Sequence, residues 1–98
     1  MPGWILETGD EAGLTLRVPA GSIKTIGRTA RADFIVDAAL ISRLHCRLTA
    51  DKSDQLVVED LGSTNGTMVN GKKVDRVVLR AGDRLTVGRM EFQIRAAE

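Results

Sequence analysis

Apolar residues recur at alternate positions over short runs of this chain, and each run stops at a glycine, a proline or a polar turn. Leu14, Leu16 and Val18 alternate with Thr15 and Arg17, Leu85 and Val87 flank Thr86, and Met90, Phe92 and Ile94 repeat the pattern near the end. A period of two buries one face of a β-strand. Trp4-Ile5-Leu6 opens an earlier strand, with Gly9 to Gly13 as the turn that follows. Pro19-Ala20-Gly21 breaks the second run, and Ile23 and Ile26 bracket a strand that ends at Gly27-Arg28. A polar loop carrying Arg28 and Arg31 then runs to Asp33. Phe34-Ile35-Val36 is a further short strand, and Ile41-Ser42-Arg43 leads into one that reaches Thr49. Asp51 to Asp54 turns the chain into Leu56-Val57-Val58, and Met68-Val69 is closed at once by Asn70-Gly71, ahead of Val77-Val78-Leu79. No window sustains a helical period, and glycine or proline interrupts almost every stretch long enough for a helix. Many short strands with frequent turns predict an all-β antiparallel sandwich or barrel.

At 98 residues the chain fits one small domain, spanning 1–98, with a single core and no room for a deep enclosed pocket. Charged residues make up 28% of it, yet the net charge is only +1, so neither a basic nucleic-acid footprint nor an acidic tail stands out. No apolar stretch is long enough to span a bilayer, and Trp4-Ile5-Leu6 is too short for a signal-peptide core. The reading is a soluble, non-secreted chain without membrane or nucleic-acid partners, with the look of a domain excised from a longer protein. Cys46, the one cysteine, has no internal disulfide partner and no second thiol for a metal site, which fits a reducing cytoplasm. No cofactor or metal is expected.

Chemistry concentrates in the loops. Asp60-Leu61-Gly62-Ser63-Thr64-Asn65-Gly66-Thr67 joins two strand-like runs and combines Asn-Gly turn chemistry with three hydroxyls. Taken alone, it also reads as a hairpin turn, and two Asn-Gly pairs so close together favour hairpin geometry. Loops at alternate strand ends of a sandwich gather on one edge, where distant residues can converge. Gly27-Arg28, Ser42-Arg43 and Ser63-Thr64-Asn65 each sit at a strand end and together offer guanidinium groups, hydroxyls, an amide and free backbone N–H groups. These are the parts of a phosphate cage. Each arginine taken singly reads as a solvated surface charge before it reads as a ligand group.

In this order, Gly27-Arg28, Ser42-Arg43-Leu44-His45, the Asp60 to Thr67 loop, Val69-Asn70-Gly71, Leu79, Gly82-Asp83 and Gly88 resemble the forkhead-associated (FHA) domain from end to end. The resemblance implies an eleven-stranded β-sandwich that binds phosphothreonine peptides through the loops at one end. It implies that Arg28 and Ser42 contact the phosphate and that Arg43 adds a donor at its rim. Thr64 would bond phosphate or peptide, and Asn65 would hold the peptide backbone. Gly27, His45 and Gly66 correspond to positions that shape the loops. The partner would be a phosphothreonine-containing protein, a Ser/Thr kinase or its substrate among them, bound by a monomeric isolated domain.

His45 divides the two readings. In a regular strand Leu44, Cys46 and Leu48 share the apolar face, which leaves Arg43, His45 and Arg47 exposed. The resemblance instead tucks His45 under the loops, with a ring nitrogen bonded to loop backbone. Other motif matches are weak. Gly66 to Lys72 copies a P-loop spacing, but Lys73 stands where a magnesium-binding hydroxyl belongs and no helix follows. Asn65-Gly66-Thr67 fits a glycosylation pattern with no secretory signal to use it. His45 and Cys46 are adjacent and would point to opposite faces of a strand, so they make no nucleophile and base. Lys72, Lys73, Arg76 and Arg80 read as a solvated hairpin tip before a nucleic-acid surface. The expected function is therefore a non-catalytic module for phosphothreonine recognition. A phosphate-independent scaffold or oligomerisation domain and a small phosphate-processing enzyme are the alternatives.

Overall fold

The computed structural model describes residues 3–9 and 13–97, so residues 10–12 of the first expected turn lie outside the described part. Eleven strands follow one another: β1 (Trp4–Glu7), β2 (Thr15–Val18), β3 (Ile23–Gly27), β4 (Phe34–Ile35), β5 (Cys46–Ala50), β6 (Leu56–Asp60), β7 (Thr67–Val69), β8 (Lys72–Val74), β9 (Arg76–Leu79), β10 (Arg84–Val87) and β11 (Met90–Ala96). They form a six-stranded sheet in the order β2-β1-β11-β10-β7-β8 and a five-stranded sheet in the order β4-β3-β5-β6-β9. Among the described residues no helix is long and apolar enough to cross a membrane.

The alternating runs supply the core. Leu16 and Val18 of β2, Leu85 and Val87 of β10, and Phe92 and Ile94 of β11 are buried, and their strand neighbours face out. Ile26, Leu48, Leu56, Val58 and Leu79 close the same core from the five-stranded sheet. Each fully buried aliphatic or aromatic side chain contributes about 1.5–3 kcal/mol relative to exposure, which holds the two sheets face to face.

Two expectations about connectivity are corrected. The sandwich is not wholly antiparallel, since β4 runs parallel to β3 with Ile26 opposite Phe34. β4 is only two residues long, so the loop over 28–33 climbs back a short way and needs no crossover helix. The other correction concerns the hairpin reading of the loop after β6. Only Asn70-Gly71 closes a hairpin, between β7 and β8, with φ angles of 52° and 83°. Asn65-Gly66 lies where the chain passes from the five-stranded sheet to the six-stranded one. Turn chemistry does not distinguish a hairpin from a crossing between sheets, because glycine serves the positive φ of either.

β5 begins at Cys46 rather than directly after Ile41-Ser42-Arg43, and residues 41–45 are loop. Alternation therefore does not extend back to His45, and His45 and Cys46 are both fully buried. The exposure expected from strand periodicity is overturned, and the tucked position is the observed one. Gly66 to Lys73, the P-loop look-alike, is spread over β7, the hairpin turn and the start of β8.

Candidate functional site

Strand register brings the loops together. Ile26 near the end of β3 lies opposite Cys46 at the start of β5, and Cys46 lies opposite Asp60 at the end of β6. The loops over 28–33, 36–45 and 61–66 consequently meet at one end of the five-stranded sheet.

Asp60 organises the third loop. Its Oδ2 accepts the backbone N–H groups of Gly62 and Ser63, each at 3.0 Å. Its Oδ1 accepts the hydroxyls of Ser63 at 2.6 Å and Thr67 at 2.8 Å. Ser63 Oγ in turn accepts the Gly66 N–H at 2.9 Å. Burial acts to raise the Asp60 carboxyl, but the Ser63 and Thr67 hydroxyls, the Ser63 N–H and nearby His45 outweigh it and hold the group below its ordinary value. Gly66 itself is buried at φ 86°, a conformation that glycine adopts without strain.

Ser42 is the crossing point of all three loops. Its carbonyl accepts the Arg28 N–H at 3.0 Å, its Oγ accepts the Thr64 N–H at 3.1 Å, and its own N–H donates to His45 Nδ1 at 3.1 Å. A hydroxyl that accepts from Thr64 keeps its hydrogen to donate outward. On the other side of His45, Nε2 lies 2.8 Å from the Gly66 carbonyl oxygen. Gly27 permits the closest approach in this region, since a Cβ there would fall 2.1 Å from the Arg43 carbonyl oxygen. Gly88, in the turn between β10 and β11, lies under residues 39–41 in the same way.

Between these loops is an open cleft of about 490 Å³. Arg28, Arg43, Ser42 and Thr64 line it, together with Arg31, Leu44 and Gly62. All three arginines are exposed, and none has an ion-pair partner among the described residues, where the pairs found are Arg47 with Glu59 and Arg95 with Glu7. Asn65 is not part of the lining. Its Nδ2 donates to the Leu40 carbonyl at 3.1 Å and ties the third loop to the second. Gly27, His45 and Gly66 stand behind the cleft rather than in its wall.

Two contributors were not singled out from sequence. In the sequence Arg31 is only a second arginine of its loop, and Asp60 only the first residue of the motif. An aspartate two residues before a glycine and three before a serine is the signal for a side-chain-capped turn, and here it marks the hub. The Cys46 thiol is pushed up to about 12, first by burial and then by the Asp60 carboxylate, against a lowering contact with the Thr67 hydroxyl. At neutral pH it stays a protonated, unreactive core group.

A family model described as FHA domain matches residues 24–88. The chain belongs to the FHA domain family. Glycogen accumulation regulator GarA of Mycobacterium tuberculosis is 33% identical over 88 residues, a match that takes in 90% of this chain and 53% of GarA. The FHA domain of CT664 protein from Chlamydia trachomatis superposes with a TM-score of 0.89 at 25% identity, covering 97% of this chain and 98% of that one. Mycobacterium tuberculosis EmbR, solved in complex with a low-affinity phosphopeptide, superposes with a TM-score of 0.84 at 27% identity over 96% of this chain and 24% of EmbR. The FHA chain spans about half the length, or less, of the first curated relatives it matches.

Proposed function

We propose that this FHA domain acts as a single binding unit over residues 1–98 that recognises phosphothreonine on a partner protein, and that it catalyses no reaction. The observation that carries this reading is the Ser42 crossing point beside a cleft that is lined by arginines and, among the described residues, by no acidic side chain. An outward hydroxyl, the Arg28 and Arg43 guanidinium groups and the Thr64 hydroxyl converge on one volume whose backbone is fixed from three sides. In this reading Arg28 supplies the main fork to the phosphate, Ser42 donates its free hydrogen, Arg43 adds a donor at the rim, and Thr64 bonds phosphate or peptide. Asn65 holds the peptide backbone through Oδ1 and the second hydrogen of Nδ2, the first being given to the Leu40 carbonyl. Gly27, His45 and Gly66 keep the loops in place.

The way the reactive groups are used supports a non-catalytic module. Both ring nitrogens of the single histidine are committed to loop bonds, and the single thiol is buried and protonated. The partner in this reading is a Ser/Thr kinase or a kinase substrate, met in the cytoplasm by a monomeric domain. Charge-assisted hydrogen bonds of about 1.5–3 kcal/mol each, reduced by solvation and peptide ordering, lead us to expect micromolar affinity, about −8 kcal/mol. Titration with matched phosphothreonine, phosphoserine and unphosphorylated peptides is the test. Phosphothreonine should bind, phosphoserine should bind about fourfold more weakly for one methyl unburied beside Leu44, and the unphosphorylated peptide should not bind measurably. Equal affinity for phosphorylated and unphosphorylated peptides would favour the phosphate-independent scaffold.

A further inference from the structure

Three guanidinium groups line the cleft, those of Arg28, Arg31 and Arg43, and among the described residues no aspartate or glutamate lines it. Of the aspartates on these loops, Asp37 is exposed and does not line the cleft, and Asp33 and Asp60 are held by hydrogen bonds of their own. Asp33, in the same loop as Arg31, accepts the Thr25 N–H at 2.9 Å and the Thr25 hydroxyl at 3.1 Å. Asp60 is saturated by its own loop. A guanidinium keeps its charge at any physiological pH, whereas a phosphothreonine brings about −1.5 to −2 at pH 7. A cleft loaded with one phosphothreonine therefore keeps about one positive charge without a partner. Space remains as well, since about 490 Å³ falls among sites that take whole drug-sized molecules, and a single phosphate does not fill it.

The three arginines are not equivalent. Arg28 is bonded through its backbone to Ser42, and Arg43 follows Ser42 directly, so the backbones of both are fixed at the residue that marks the phosphate position. Arg31 stands apart, on a turn closed by the Ala32 N–H donating to the Thr29 carbonyl at 3.0 Å. That turn is tied to the neighbouring loop by the Thr29 hydroxyl, 3.3 Å from the Arg43 carbonyl oxygen. Arg31 is thus held at the wall of the cleft on a turn braced through Thr29 rather than through Ser42.

We infer that the site takes a peptide carrying a second anionic group beside its phosphothreonine, an acidic side chain or a second phosphate, and that Arg31 receives that group. The inference rests on the phosphothreonine reading and adds a specificity determinant to it. A second phosphate, with the larger charge, gives the larger gain, and both gains shrink as salt rises because the cleft is open to solvent.

The experiment uses a phosphothreonine peptide with neutral flanks. In turn, each of the three positions on either side is replaced by alanine, aspartate or phosphoserine, and the peptides are titrated against the parent protein, Arg31→Gln and Arg31→Lys. The quantity read is the ratio of affinities with and without the second anion in each protein, whatever Arg31→Gln does to the neutral-flanked peptide. At one or two flanking positions the parent should gain about threefold from aspartate and about tenfold from phosphoserine. That ratio should collapse to below about twofold in Arg31→Gln and survive in part in Arg31→Lys. A parent that binds the neutral-flanked phosphothreonine peptide but gains nothing at any position overturns the inference, as does a gain that persists in Arg31→Gln. A parent that binds no phosphothreonine peptide overturns the functional reading beneath it. Thermal melts of the variants, expected to match the parent because Arg31 is exposed, exclude a folding artefact.

Discussion

His45 holds Gly66 across 21 residues of sequence, with Nε2 2.8 Å from the Gly66 carbonyl oxygen. Because the Ser42 N–H can only donate, Nδ1 is the acceptor at 3.1 Å and the ring hydrogen sits on Nε2. One imidazole thereby clamps the loop that carries Ser42 to the loop that carries Thr64.

Replacing this ring by alanine leaves a buried N–H and a carbonyl without partners and opens a void. We expect His45→Ala to cost about 2–4 kcal/mol of stability and to weaken phosphopeptide binding together with it. Calorimetric melting should show a drop of about 8 °C or more for a domain of this size. An unchanged melt with lost binding would place His45 against the ligand.

Asp60 provides the pH dependence. Its carboxyl is held below the ordinary value of 3.8, so the stability it contributes is present above the unfolded carboxylate value and is lost as pH falls through the lowered folded one. Asp60→Asn should be less stable than the parent at pH 7, by about 1–2 kcal/mol, because an amide N–H₂ replaces one acceptor facing donors. The gap between the two proteins should narrow in melts repeated between about pH 5 and 2. A constant gap over that range would remove Asp60 as the titrating group.

Arg28 offers the opposite profile. Its side chain is exposed and makes no ion pair among the described residues, so Arg28→Ala should melt like the parent. Loss of one charge-assisted contact to phosphate should lower affinity by about 10- to 150-fold in titration calorimetry. Arg28→Lys should recover charge but not the planar fork, and fall between the two. Parent-like affinity for Arg28→Ala would remove Arg28 from the phosphate.

Gly27→Ala tests the packing behind the site. The added methyl would sit 2.1 Å from the Arg43 carbonyl oxygen and 3.1 Å from Ala32 Cβ, so backbone has to move. Overpacking of this kind costs about 1–3 kcal/mol, and the displaced segment carries Ser42 and Arg43. Melting temperature and affinity should fall together. Reduced stability with full affinity would show that the loops tolerate the shift.

The strand pattern and the three loop motifs were legible in the sequence because both depend on short-range chemistry. Alternation located the strands that bury Leu16, Leu85 and Phe92, and arginine, serine and threonine at strand ends marked the loops that register then gathers. Long-range facts were not legible. Nothing local in Asn65-Gly66 separates a crossing between sheets from a hairpin, and nothing in Phe34-Ile35 announces parallel pairing. His45 was misplaced by periodicity because β5 starts one residue after it, and a period of two has no meaning before a strand begins. Arg31 stayed unassigned because the direction a loop arginine faces depends on the turn beneath it.

Between Gly62 and Gly66, the backbone N–H groups of Gly62, Ser63, Thr64 and Gly66 all donate to side-chain oxygens, those of Asp60, Ser42 and Ser63. This loop is ordered by the folding of the domain and has little conformational freedom left to lose to a ligand. The ordering cost of complex formation therefore falls on the peptide. Affinity should then follow ligand rigidity as well as ligand sequence: a phosphothreonine displayed on an already extended segment of a folded partner will bind more tightly than the same residues in a free peptide, without a single additional contact.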